Sequence, residues 1–122
     1  MNKLFVQILK KRVKEREEYF KNYYLYCKKI KEEAEKILGK VKVVVFGSIV
    51  KNEYKPFSDI DVLIVTDNLS DTYEDRIKIK TEIKSKIGSF SPFQIHLITT
   101  SEYNNWYKKF IKKDFVEIEG GK

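Results

Sequence analysis

Two aspartates one residue apart, Asp59 and Asp61, stand at the head of an apolar run, Val62-Leu63-Ile64-Val65. Alternate residues of a strand share a face. The two carboxylates therefore point the same way, while Ile60, Val62 and Ile64 turn into packing. Carboxylates this close repel unless a cation lies between them. Asp-x-Asp opening a buried strand thus suits a hard divalent metal such as Mg²⁺, which prefers oxygen ligands. Upstream, across ten residues, Gly47-Ser48 closes another apolar run, Val41 to Phe46. A glycine there lets the backbone turn tightly and approach a ligand closely. A short helix opening at Ser48 would aim free N–H groups at an anion. Gly-Ser alone is an ordinary turn, and Asp-x-Asp alone is a common surface feature. Together, in one strand-turn-strand unit from Val41 to Thr66, they describe a site for a triphosphate and its metal.

The flanking elements can be read from spacing. Residues 2–38 hold no Gly and no Pro. Their apolar positions (Phe5, Leu9, Val13, Phe20, Tyr23, Cys27, Ile30, Ala34, Ile37) recur mostly every three or four residues, as on one helical face. Gly39 is placed to end that helix. A single helix of this length would reach about 55 Å, longer than a small domain is wide. Either it breaks near Arg16 to Tyr19, or its first half projects and packs on a partner. The aromatic cluster Tyr19, Phe20, Tyr23, Tyr24 and Tyr26 reads first as core or dimer interface, and second as a base-stacking platform. Val41 to Phe46 and Ile60 to Thr66 are β-branched, apolar runs and predict buried strands. A short helix is expected from Ser48 to about Glu53, then a loop around Pro56. Asp67 to Asp71 reads as a turn. Ile77, Ile79, Ile83 and Ile87 predict a helix over Thr72 to Ile87, stopped by Gly88. Phe93 to Thr99 predicts a third strand, joined to the second by a right-handed crossover if the two are parallel. Ser101 is expected to cap a helix to about Ile111, with Trp106, Tyr107 and Phe110 packing. A small last strand is expected at Phe115 to Ile118, then a frayed Gly120-Gly121-Lys122 tail.

Composition sets the outer bounds. The chain has 122 residues, 42% hydrophobic and 35% charged, with 5 Gly and 2 Pro, which argues for one folded unit rather than disorder. One cysteine, Cys27, excludes an internal disulfide and a cysteine-built metal site. No apolar run is long enough for a membrane span and no signal peptide is visible, so a cytoplasmic protein with no membrane partner is the expectation. The net charge is +7, and residues 1–38 hold most of it, with 11 Lys/Arg against 6 Asp/Glu. That excess fits an anionic partner such as nucleic acid, or simply a solvated lysine-rich face.

Gly47-Ser48, ten residues ending in Ser58, then Asp59-Ile60-Asp61 resembles the signature of the DNA polymerase β superfamily, and most of all its minimal nucleotidyltransferases. The likeness covers roughly Val41 to Thr99. It implies a nucleotidyltransferase-like α/β (α+β) fold, with a small mixed sheet of three to four strands flanked by helices and a long N-terminal helix. Residues 1–38 would be a helical segment packing on the domain or a partner, and 39–119 the domain itself. The resemblance further implies that Gly47, Ser48, Lys51 and Ser58 contact the NTP, and that Asp59 and Asp61 hold Mg²⁺ (or Mn²⁺). Lys51 stands where relatives often carry Arg, and Asn52 where many carry Gly. A third carboxylate is expected on the neighbouring strand, Phe93-Gln94-Ile95-His96-Leu97-Ile98. This chain has His96 at the most suitable position, with Gln94 second. Imidazole is a poorer Mg²⁺ ligand than carboxylate. His96 would then serve a softer metal, act as general base, or be structural.

Three functions are thus in view. The first is metal-dependent transfer of NMP from NTP to an acceptor hydroxyl on a protein, nucleic-acid end or small molecule. The second is an antitoxin-type, weakly catalytic or inactive partner of a small helical (HEPN-like) protein, or a homodimer through the N-terminal helix. The third is a nucleic-acid-binding module using the basic helix.

Overall fold

A computed structural model of the chain describes residues 2–70, 72–111 and 114–119. The expectations for Asp71, for the 120–122 tail and for the side chains of Trp106 and Phe110 lie outside the described residues.

The long N-terminal segment is two helices, α1 (Lys3–Lys21) and α2 (Tyr23–Leu38). The break falls at Asn22, not at Arg16 to Tyr19. The side chain of Asn22 donates to the carbonyl of Glu18 (3.1 Å) and to its carboxylate (2.9 Å). Asn competes in this way with the helical backbone, which is why it disfavours helix interiors. α2 then lays Cys27, Ile30, Ala34 and Leu38 into the core, all nearly inaccessible to solvent. Burial pushes the Cys27 thiol up to about 12. α1 behaves differently: Phe20 is its one buried residue, while Leu4, Phe5, Ile8 and Leu9 are largely exposed. Its apolar stripe therefore has no cover in its first half.

The sheet has the order β3-β2-β1-β4, from β1 (Lys42–Phe46), β2 (Ile60–Val65), β3 (Phe93–Ile98) and β4 (Phe115–Glu117). β1 runs antiparallel to both β2 and β4; β2 and β3 are parallel, joined through α3 (Tyr73–Ile87). The N-cap of α3 is Thr72, whose side chain accepts the Asp75 amide. The unbroken Val43-Val44-Val45 run follows from burial on both faces. Val43 and Val45 join Ile60, Val62, Ile64, Phe93 and Ile95 against α2 and α3. Val44 joins Leu63, Val65 and Ile98 beneath Tyr103 and Ile111. Tyr19, Tyr26 and Phe93 pack edge to face and tilted, with ring centres 4.7–6.0 Å apart, so these rings of the aromatic cluster are core.

The helix expected from Ser101 is capped two residues earlier, at Thr99. Thr99 and Glu102 form a reciprocal capping box ahead of α4 (Thr100–Glu102), which passes through a π-helical turn (Tyr103–Tyr107) into α5 (Lys108–Ile111). Tyr103 and Tyr107, at the two ends of the π turn, both pack against the sheet. Among the described residues no helix is long and apolar enough to cross a membrane.

Candidate active site

Antiparallel pairing of β1 with β2 sets Phe46 opposite Asp61, so the Gly47 turn and the Asp59–Asp61 segment meet at one end of the sheet. Gly47 has φ +90°, and a Cβ built there would lie 2.9 Å from Asp61 Oδ2. No other residue satisfies both the backbone angle and that contact. The expected helix after Ser48 does not form. Residues 48–52 are successive turns instead, in which Gly47 O accepts from Val50 (3.2 Å) and Lys51 (3.4 Å), and Ser48 O accepts from Glu53 (2.9 Å). The run closes because Asn52 adopts φ +57°, a left-handed conformation in which Asn and Gly are the tolerant residues.

Asp59 lies just before β2 and its side chain is exposed; Asp61 is half-buried within the strand. His96 projects from β3 on the same sheet face, its Nε2 3.6 Å from Asp61 Oδ1. The Phe46 and Tyr107 rings flank the imidazole at about 6 Å. Nε2 is buried yet has no hydrogen-bond partner among the described residues. Such an orphan is uncommon for a structural histidine. Gln94, the second choice, points to solvent.

The remaining residues of the motif are less centrally placed. Ser48 is half-buried in the turn. Lys51 is exposed and its Nζ lies 3.9 Å from Asp114 Oδ2, ahead of β4. Ser58 Oγ accepts the Lys55 amide (2.8 Å) and so fastens its own loop. Among the described residues no three His, Cys, Asp or Glu side chains gather so as to hold a metal ion. The oxygen donors on hand are the two carboxylates, with His96 beside one of them.

Sequence reasoning missed Arg16. From α1 its guanidinium donates to the carbonyls of Pro56 (Nε, 2.9 Å) and Ser58 (Nη2, 2.6 Å) and stands 3.9 Å from Asp59 Oδ1. Nothing local in a helical Glu-Arg-Glu-Glu run signals a contact 40 residues away. Nor does a roomy cleft elsewhere in the fold coincide with the motif. That cleft, about 650 Å³ and walled by Lys40, Lys42, Thr66, Tyr103 and Lys108, opens at the opposite end of the strands. We give the motif end precedence because the convergence of Gly47, Asp61 and His96 is chemical, whereas the cleft is only roomy.

Comparison with known proteins agrees with this geometry. Residues 27–118 match the nucleotidyltransferase domain family. Two proteins of Methanocaldococcus jannaschii, each named as a candidate protein adenylyltransferase, are similar. One is 35% identical over 82 residues, covering 65% of this chain and 78% of its own. The other is 33% identical over 93 residues, covering 75% and 86%. A solved candidate nucleotidyltransferase superposes with a TM-score of 0.60 at 32% identity, over 74% of this chain and 94% of that one. A second, from Sulfolobus solfataricus, shares the fold with a TM-score of 0.51 at 23% identity, over 82% of each. With the Gly47 turn set against Asp61 at the sheet end, and a family match over most of its length, this chain belongs to the nucleotidyltransferase domain family.

Proposed function

We propose that the chain transfers a nucleoside monophosphate, most simply adenylate, from an NTP to a hydroxyl on a protein, with Mg²⁺ or Mn²⁺. The observation that carries this is the close approach of Gly47 to the Asp61 carboxylate, with the unpartnered His96 Nε2 alongside. The names of the two similar Methanocaldococcus jannaschii proteins favour a protein acceptor and adenylate. In the reaction the acceptor oxygen forms a bond to the α-phosphorus, the bond to the β-phosphate oxygen breaks, and pyrophosphate leaves. The acceptor's proton passes to a base.

The metal fits the residues present in one respect. Mg²⁺ keeps several waters and binds through one or two carboxylates plus substrate phosphates, so Asp59 and Asp61 would suffice without a third acid. When bound, it supplies charge neutralisation on the triphosphate and lowers the barrier to attack. The protein's own part is positional. Gly47, having no Cβ, lets the turn close onto the Asp61 carboxylate; Ser48 and Ser58 offer hydroxyl protons; Lys51 offers an exposed ammonium. His96 Nε2, facing Asp61, is placed to accept the acceptor's proton or to steer the carboxylate.

The test is incubation of the chain with each labelled NTP, either metal and candidate acceptor proteins. Asp59→Ala with Asp61→Ala should abolish labelling, and His96→Asp should raise Mg²⁺-supported turnover. Persistent labelling by the double variant refutes the metal assignment. Absence of NTP binding by calorimetry with both metals refutes the reading altogether.

A second reading has one observation of its own, the uncovered Leu4, Phe5, Ile8 and Leu9 on α1. It makes the chain a nucleotide-binding partner of a small helical protein, or of its own copy. Light scattering separates these: a monomer at high concentration, unaltered by Phe5→Glu, eliminates self-association.

A further inference from the structure

The nucleotidyltransferase match begins at residue 27, inside α2, so α1 lies outside it. Yet α1 reaches back to the site through one side chain. Arg16 sits on a mostly exposed helix but is itself only 17% exposed. Its guanidinium lies over the Phe20 ring at 5.8 Å and the Phe57 ring at 5.6 Å. Between them it grips two carbonyls two residues apart, Pro56 O and Ser58 O. Inside the loop the Lys55 and Ser58 amides are satisfied locally. Among the described residues, the hydrogen bonds that tie residues 54–59 to the rest of the fold are the two from Arg16. The next anchor is the Ile60 amide on Pro92 O, already in β2.

We propose that Arg16 is a positioning residue for Asp59, so that a segment outside the family domain completes the metal side of the site. The inference rests on the reading of Asp59 as a metal ligand. The guanidinium stands 3.9 Å from Asp59 Oδ1. That is near enough to favour one orientation and too far to be a hydrogen bond, so it leaves the carboxylate's lone pairs free. The planar fork is essential to gripping two carbonyls at once; an ammonium, with donors on a single point, lacks that geometry.

Charge and positioning make opposite forecasts. As a cation beside a metal site, Arg16 repels the metal, and on that ground alone Arg16→Ala would tighten Mn²⁺ binding while Arg16→Lys left it unchanged. As a positioning residue, its loss frees the Asp59 loop, and both variants weaken binding. Groups that orient metal ligands are typically worth about ten- to hundredfold in metal affinity.

The experiment titrates Mn²⁺ into the full chain, with and without NTP, by water-proton relaxation. Wild type, Arg16→Ala, Arg16→Lys and Arg12→Ala are compared, with each midpoint of thermal unfolding measured. Arg12 sits one turn earlier and lies over Phe90 at 5.0 Å, so it controls for the docking of α1. The expected result is about tenfold or greater weakening for Arg16→Ala, a smaller one for Arg16→Lys, and none for Arg12→Ala, with all chains folded. Unchanged or tighter Mn²⁺ binding by Arg16→Ala overturns the inference, as does an equal loss in Arg12→Ala. If Arg16→Ala fails to fold, Arg16→Lys decides by the same criterion. A wild-type chain that binds no Mn²⁺, with or without NTP, instead refutes the site reading, and the inference with it.

Discussion

Gly47→Ala tests the central geometry in two separable parts. The first part is backbone: an L-residue at φ +90° is strained by roughly 1–2 kcal/mol. The second is overlap: the new Cβ lies 2.9 Å from Asp61 Oδ2, and crowding of this kind costs about 1–3 kcal/mol. Together they amount to about 2–5 kcal/mol, a large share of what a domain this size has in reserve. The unfolding entropy of a 122-residue chain is about 0.26 kcal/mol per kelvin, so the midpoint should fall by about 8–19 °C. Thermal and urea unfolding followed by circular dichroism measure both. Asp61→Ala removes the carboxylate and leaves the backbone as it was. Gly47→Ala should therefore be milder in that background by about 1–3 kcal/mol. An identical loss in both backgrounds would show that Gly47 and Asp61 are not in contact, and the reasoning built on that contact would fail.

The other expectations concern buried and paired groups. Cys27 is fully buried and its thiol is pushed up to about 12. A thiol reagent at pH 8 should leave the native chain unlabelled for as long as it takes to label the urea-unfolded chain fully; rapid native labelling would contradict the packing of α2. Burial works to raise Glu102, but the Thr99 amide (2.9 Å), the Arg76 guanidinium (2.9 Å) and the Thr99 hydroxyl hold its carboxyl below its usual value. Its contribution is therefore full above the unfolded value near 4.5 and is lost as pH falls through the lower folded value. Stability should decline less steeply between pH 5 and 3 in Glu102→Gln than in wild type, and parallel profiles would refute the capping-box assignment.

Much of the fold was legible because its signals are local. The β-branched runs at 42–46, 60–65 and 93–98 mark strands wherever they are buried, and Gly39 and Gly88 end helices for backbone reasons. That β2 and β3 are parallel was open in the sequence and was decided by the structure. Helix ends and short helices were less legible, since they turn on competing single bonds. Asn22 ends α1 by bonding to Glu18, Thr99 takes the cap expected of Ser101, and the Ser48 segment closes into turns at Asn52.

The sequence by itself determined that Gly47, Ser48, Asp59 and Asp61 belong to one strand-turn-strand unit, because alternation along a strand and a positive φ at Gly are properties of neighbours in the chain. It also set Gln94 and His96 on one face of β3, since period-2 alternation assigns the face. Only the tertiary structure decided that Asp61 Oδ2 lies against Gly47 and that His96 Nε2 faces Asp61 without a hydrogen-bond partner among the described residues. Only it revealed that Arg16, 43 residues ahead of Asp59 in the chain, grips the Asp59 loop. Contacts of that kind depend on how separate elements pack, and no periodicity in the chain encodes them. The same packing leaves the first half of α1 uncovered while burying one face of α2, although the two share one apolar rhythm.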